Sequence, residues 1–145
     1  LGLIWQFCGC SCAGIVNASW QDVGTQAEVL KARTFRFAVD TVNLVRKLPA
    51  TFEARRIGGQ LFDAGTSVGA NYRAACKARS HAEFISKIGI VLEEADESSF
   101  WLDLLVATSI VAGDTVRAHQ VEASELMAIF TASHKTASQR KCARR

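Results

Sequence analysis

From residue 30 onward, apolar and small residues recur in alternating steps of four and three, the period of one face of an α-helix. Leu30, Thr34, Phe37, Thr41, Leu44 and Leu48 form the first stripe, and Phe35, Ala38, Val42 and Val45 widen it. Thr25-x-x-Glu28 has the form of a capping box and Pro49 cannot continue a helix, so the pattern predicts a helix over 26–48. A second stripe, Ile57, Leu61, Ala64, Val68, Asn71 and Ala75, follows a capping residue at Thr51. A second capping box, Ser80-x-x-Glu83, opens a third stripe of Phe84, Ile88, Val91, Ala95, Ser98, Leu102 and Leu105. Its helix is expected to end near Ala112-Gly113, glycine being the usual C-terminal breaker. The fourth helix, from Asp114, carries Val116, His119, Ala123, Leu126, Phe130 and Ser133. Long helices joined by loops of a few residues pack as antiparallel neighbours, so the predicted fold is all-α, an antiparallel up-down four-helix bundle.

Composition agrees with this pattern. A chain of 145 residues with 49% hydrophobic and 21% charged positions folds as one domain, and a single Pro leaves too few turn signals for a sandwich or barrel. The bundle is predicted over 26–136, preceded by an extension over 1–25 that is expected to be poorly ordered. A basic tail follows over 137–145, with Arg140, Lys141, Arg144 and Arg145. The apolar start of the extension lacks the positive n-region of a secretory signal and is short for a membrane anchor. Five cysteines, three of them crowded at Cys8, Cys10 and Cys12, form neither a disulfide framework nor a zinc-ligand spacing, which fits a reducing cytoplasm. No metal ligand set and no cofactor motif is read from the sequence.

The second helix is unusual because it carries Gly58, Gly59, Gly65 and Gly69, each of which costs about 1 kcal/mol against alanine inside a helix. Gly65 and Gly69, four apart, leave room for another backbone to approach. The rival reading, a phosphate-binding loop, lacks both the preceding strand and the Gly-Lys-Ser/Thr ending. Asn71 on an apolar stripe needs a hydrogen-bond partner and is expected to be buried, with Gln60 and Ser67 as members of the same polar network. Gln60, Gly65, Ser67, Gly69 and Asn71 are thus the candidate structural and oligomer-forming motif.

Catalytic chemistry finds little support. A di-iron bundle needs Glu-x-x-His, which is absent, and no nucleophile motif occurs. Glu93, Glu94, Asp96 and Glu97 on the third helix read as a solvated or salt-bridged face rather than an acid/base pair. His119, on an apolar stripe, reads as a core histidine rather than a ligand. No catalytic residue is assigned, and no enzymatic activity is expected.

Charge is more informative. The net charge is only +3, but residues 31–87 hold eleven Lys/Arg against four Asp/Glu, whereas residues 88–125 hold eight acids against Arg117 alone. Arg33, Arg36 and Lys47 recur on the face of the first helix opposite its stripe, and Arg73 and Lys77 pair at i,i+4 on the second. These five are the candidate nucleic-acid contacts; the competing reading is a solvated face paired with the acids of the third helix.

The run from Gly59 to Leu105 resembles a known family. The motifs that carry it are Gln60-Leu61, Gly65-Thr66-Ser67-Val68-Gly69-Ala70-Asn71, Arg79-Ser80 with Glu83-Phe84, Lys87, and Glu93-Glu94-Ala95-x-Glu97 leading to Trp101-Leu102. They are similar to those of the bacterial four helix bundle proteins, also called 23S rRNA intervening-sequence proteins. The resemblance covers about Ala27 to Thr136. It implies a cytoplasmic up-down bundle assembled as a ring-like homopentamer, without established enzymatic activity. A related branch serves diversity-generating retroelements as a nucleic-acid-binding accessory of a reverse transcriptase. The expected partners are therefore further copies of the chain and RNA or a ribonucleoprotein, not a membrane. The alternative is a structural or adaptor protein with a protein partner and no nucleic acid. Many members carry Ser-Ile-Pro-x-Asn-Ile-Ala-Glu-Gly where this chain reads Ser67-Val68-Gly69-Ala70-Asn71-Tyr72-Arg73-Ala74-Ala75, so a role for that Glu does not carry over to Ala74.

Overall fold

The computed structural model describes residues 20–142, with side chains described over 26–139. Four helices follow one another, α1 (Trp20–Val45), α2 (Phe52–Ala75), α3 (His81–Ala107) and α4 (Gly113–Cys142). Each packs on its sequence neighbour, and the circuit is closed by a lighter α1–α4 contact, as an up-down bundle requires. The clustered Cys8, Cys10 and Cys12, and the order expected of residues 1–19, lie outside the described residues.

Two caps form as the sequence predicts. Thr51 Oγ1 accepts from the Ala54 amide at 3.2 Å, and Ser80 Oγ accepts from the Glu83 amide at 3.1 Å. The Glu83 carboxylate reaches back to accept from the Arg79 amide at 2.9 Å, one residue before the Ser80 amide that a strict capping box uses. Ahead of Pro49 the last turn of α1 tightens to i→i+3 bonds, Lys47 N to Leu44 O and Leu48 N to Val45 O.

Three boundaries differ from expectation. Helix α1 starts at Trp20, so Thr25 is inside it and does not cap it. The reason is visible upstream of Leu30, where Ala27, Val23 and Trp20 continue the four-three steps. Helix α3 stops at Ala107 instead of near Gly113, because Ser109 takes a left-handed φ of 56°. The Ser109 amide donates to Val106 O at 2.9 Å and the Ile110 amide to Leu105 O at 3.0 Å, a Schellman motif with serine where glycine is usual. Gly113 then begins α4. Finally, α4 runs through the supposed tail to Cys142, and Ala137 is fully buried, so the bundle does not end at residue 136.

All seven stripe positions of α3 are buried, and the core joins them to Phe37, Leu44, Leu61, Val68, Val116, Leu126 and Phe130. Polar stripe members are buried without loss because each hydroxyl bonds within its own helix. Thr34 donates to Leu30 O, Thr41 to Phe37 O, Ser98 to Glu94 O and Ser133 to Ile129 O, at 2.7–3.0 Å. Tyr72, which the four-three rhythm skipped in favour of Asn71, is fully buried with its ring 5.3 Å from that of Phe130.

Three of the four α2 glycines, Gly58, Gly65 and Gly69, face α1 or the turn that follows it. A Cβ on Gly65 would lie 2.7 Å from both Thr41 Cγ2 and Thr41 Oγ1, and one on Gly69 would lie 3.1 Å from the Thr34 carbonyl oxygen. One on Gly58 would meet Leu48 Cδ1 at 2.7 Å. The close approach inferred from their spacing is therefore real, and it lies within one protomer. Gly59 points into open space.

Candidate functional site

The remaining motif residues separate. Asn71 is half-buried rather than buried, and its Nδ2 donates to Ser67 O at 3.1 Å inside its own helix. Gln60 is exposed, so it does not join Asn71 in a buried network. His119 is half-buried, and neither ring nitrogen has a hydrogen-bond partner.

Of the five candidate nucleic-acid contacts, Arg33 is already occupied. Its guanidinium forks onto Glu122 of α4, Nε to Oε1 at 2.6 Å and Nη2 to Oε2 at 2.8 Å, and also reaches Glu125. The hydrogen bond to Glu122 raises its pKa further, so Arg33 stays charged and serves as the latch between α1 and α4. Its partners are on α4 rather than on α3 as the competing reading supposed. Arg36, Lys47, Arg73 and Lys77 are exposed, and among the described residues none has an ion-pair partner. Arg73 and Lys77 come together with Lys31 and Glu28 around a hollow of about 320 Å³ at one end of the α1–α2 pair, where Lys31 is held by Glu28 at 2.6 Å. Arg36 lies further along α1, and Lys47 in the turn that follows it.

Sequence reasoning missed one broad surface feature. Phe35 and Val42 were expected to widen the core stripe, but Phe35 is 59% exposed. With Ala38 and Val39 of α1, and Thr66 and Ala70 of α2, they line an outward groove of about 620 Å³. Arg46 and Arg73 border it. Gly69 forms part of its floor, so the backbone approach that draws α1 and α2 together also shapes the groove. The signal in the sequence was that apolar residues cover more of α1 than one core-facing stripe can bury.

The acidic stretch of α3 lies on another side of the bundle. Glu93, Asp96 and Glu97 are exposed, and among the described residues none forms an ion pair. Glu94 is half-buried; burial first, and then the charges of Glu97, Glu93 and Asp63, push its carboxyl above the ordinary range. Among these acids stands Phe100, 56% exposed, its ring edge-on to Trp101 at 4.9 Å. The Trp101 indole donates to Glu97 at 3.0 Å, which braces the pair.

Among the described residues, no helix is long and apolar enough to cross a membrane, and no group of three His, Cys, Asp or Glu is placed to hold a metal ion.

Comparison with known proteins places this bundle. A search of curated proteins finds no match. Among solved structures, the chain is similar to a protein of unknown function from the S23 ribosomal protein family of Bacteroides thetaiotaomicron VPI-5482. The two share 33% identity at a TM-score of 0.69, over 76% of this chain and 98% of that one. The model of the 23S rRNA-intervening sequence protein family matches residues 26–132. That match takes in the glycine-bearing helix α2, the capping box of α3 and most of α4, and the chain belongs to the 23S rRNA-intervening sequence protein family.

Proposed function

We propose that the protein is a non-enzymatic, cytoplasmic, homo-oligomeric binding module, a ring of five copies as the family resemblance implies, that associates with RNA or a ribonucleoprotein. The observation that carries the RNA reading is the set of exposed bases without acidic partners among the described residues, Arg36, Lys47, Arg73 and Lys77. Each is a weak phosphate contact by itself. Repeated in every copy of an assembly, such contacts add by multivalency even though the net charge is only +3.

The test is RNA binding measured against salt. Removing the basic C-terminus by truncation at residue 136 would delete the buried Ala137, so Arg140, Lys141, Arg144 and Arg145 are instead changed to Ala. In that background Arg36, Lys47 and Lys77 are reversed to Glu, sparing Arg73 because it also borders the groove. Binding that weakens steeply with salt, and is lost on charge reversal, supports the reading. Equal RNA binding by the two proteins contradicts it, and the adaptor function then takes its place.

A further inference from the structure

Among the described residues, two apolar surfaces of the protomer are opposite in charge. One is the α1–α2 groove, with Phe35, Val39 and Val42 along it and Arg46 and Arg73 at its border. The other is the outer side of α3, where Ile90, Phe100 and Leu104 fall off the buried stripe and Glu93, Asp96, Glu97 and Asp103 are exposed around Phe100. Neither set of charges forms an ion pair among the described residues. A helix with apolar residues well outside its core stripe is expected where something further packs on it.

The surfaces are also comparable in length, Phe35 to Arg46 advancing eleven residues and Ile90 to Leu104 fourteen, about 16 and about 21 Å at the helical rise.

Resting on the homo-oligomer reading above, we infer that the α1–α2 groove of one protomer receives the outer face of α3 from the next, with Phe100 seated among Phe35, Val39 and Val42. Arg46 and Arg73 then meet the acids that flank Phe100, Glu93 and Glu97 before it and Asp103 after it. Because the two surfaces differ, the contact is head-to-tail. Every protomer keeps one groove and one α3 face to offer, so the contact propagates until the rotation closes a ring. A face-to-face dimer would instead set groove against groove and arginine against arginine. Arg73 is thereby turned to the neighbouring copy, leaving Arg36, Lys47 and Lys77 for phosphate.

The experiment is a charge swap read by light scattering at low salt, with helical content checked by circular dichroism. The R46E/R73E and E93K/E97K proteins should each fall to the 15.7 kDa protomer mass. Mixed in equal amounts they should associate, since each supplies the surface that the other's altered surface now fits. The chain carrying all four changes should assemble by itself. A wild-type mass retained by R46E/R73E, or folded single-patch variants that stay apart when mixed, would overturn the pairing while leaving the homo-oligomer reading intact. A monomeric wild type would overturn both.

Discussion

Gly59 and Gly65 lie less than two turns apart on one helix, yet replacing each by alanine should have opposite effects. Alanine is favoured over glycine by about 1 kcal/mol inside a helix, so Gly59→Ala, whose new methyl meets nothing within 4 Å, should stabilise by roughly that amount. At Gly65 the same gain is opposed by a Cβ placed 2.7 Å from two atoms of Thr41. Thr41 is buried and β-branched, and its hydroxyl is held by Phe37 O at 2.9 Å, so rotating it away loses that bond and meets the preceding turn. Moving α1 outward instead opens the Thr34–Gly69 approach. Overpacking of this kind costs about 1–3 kcal/mol, so after subtracting the propensity gain Gly65→Ala should destabilise by roughly 0–2 kcal/mol, where Gly59→Ala stabilises. Urea unfolding at fixed protomer concentration measures both variants. A Thr41→Ala background removes the two Thr41 atoms at 2.7 Å and keeps its Cβ at 3.0 Å, so the penalty at Gly65 should shrink by about 1 kcal/mol as the coupling of touching residues requires. A Gly65→Ala protein as stable as Gly59→Ala, or an unchanged penalty in the Thr41→Ala background, would refute the close-packed α1–α2 contact.

Three further outcomes are expected. Ser109→Gly should raise stability by about 0.5–1 kcal/mol, because glycine adopts the left-handed φ of 56° without the Cβ conflict; thermal melts showing a loss would contradict the Schellman assignment. Arg33→Ala, Glu122→Gln and the double variant should give a coupling near 1 kcal/mol, above the usual exposed pair because the fork is bidentate and partly buried, and decreasing with salt; a coupling indistinguishable from zero would remove the latch. Glu94 has a folded pKa above its unfolded one, so its ionisation lowers stability as pH rises through the carboxylate range. Glu94→Gln should therefore stabilise at pH 7, with the gain fading as pH falls below that range; a gain independent of pH would place the cause elsewhere.

The buried face of helix α3 was legible in full, though not the helix's end, because that face is narrow and a strict four-three rhythm describes it from Phe84 to Leu105. Helix α2 was legible only in part. Its buried face is broad, taking in Gly58, Gly65, Gly69 and Tyr72 beside Leu61 and Val68, so a single stripe ran through half-buried Asn71 and left out the tyrosine. The partner of Arg33 was not legible, because Glu122 stands 89 residues away and only the helix order brings them together. The groove escaped for a related reason: Phe35 and Val42 carry the same apolar signal whether they face the core or the outside of the α1–α2 pair. The glycine spacing, by contrast, announced a close backbone approach, and only its location within the protomer required the structure.

The account turns on this bundle acting as one unit of a larger assembly, and the most direct measurement is the mass of the full chain by light scattering at micromolar concentration. Five protomers of 15.7 kDa, about 78 kDa, is the expected result. A single species of 15.7 kDa across the concentration range would contradict it.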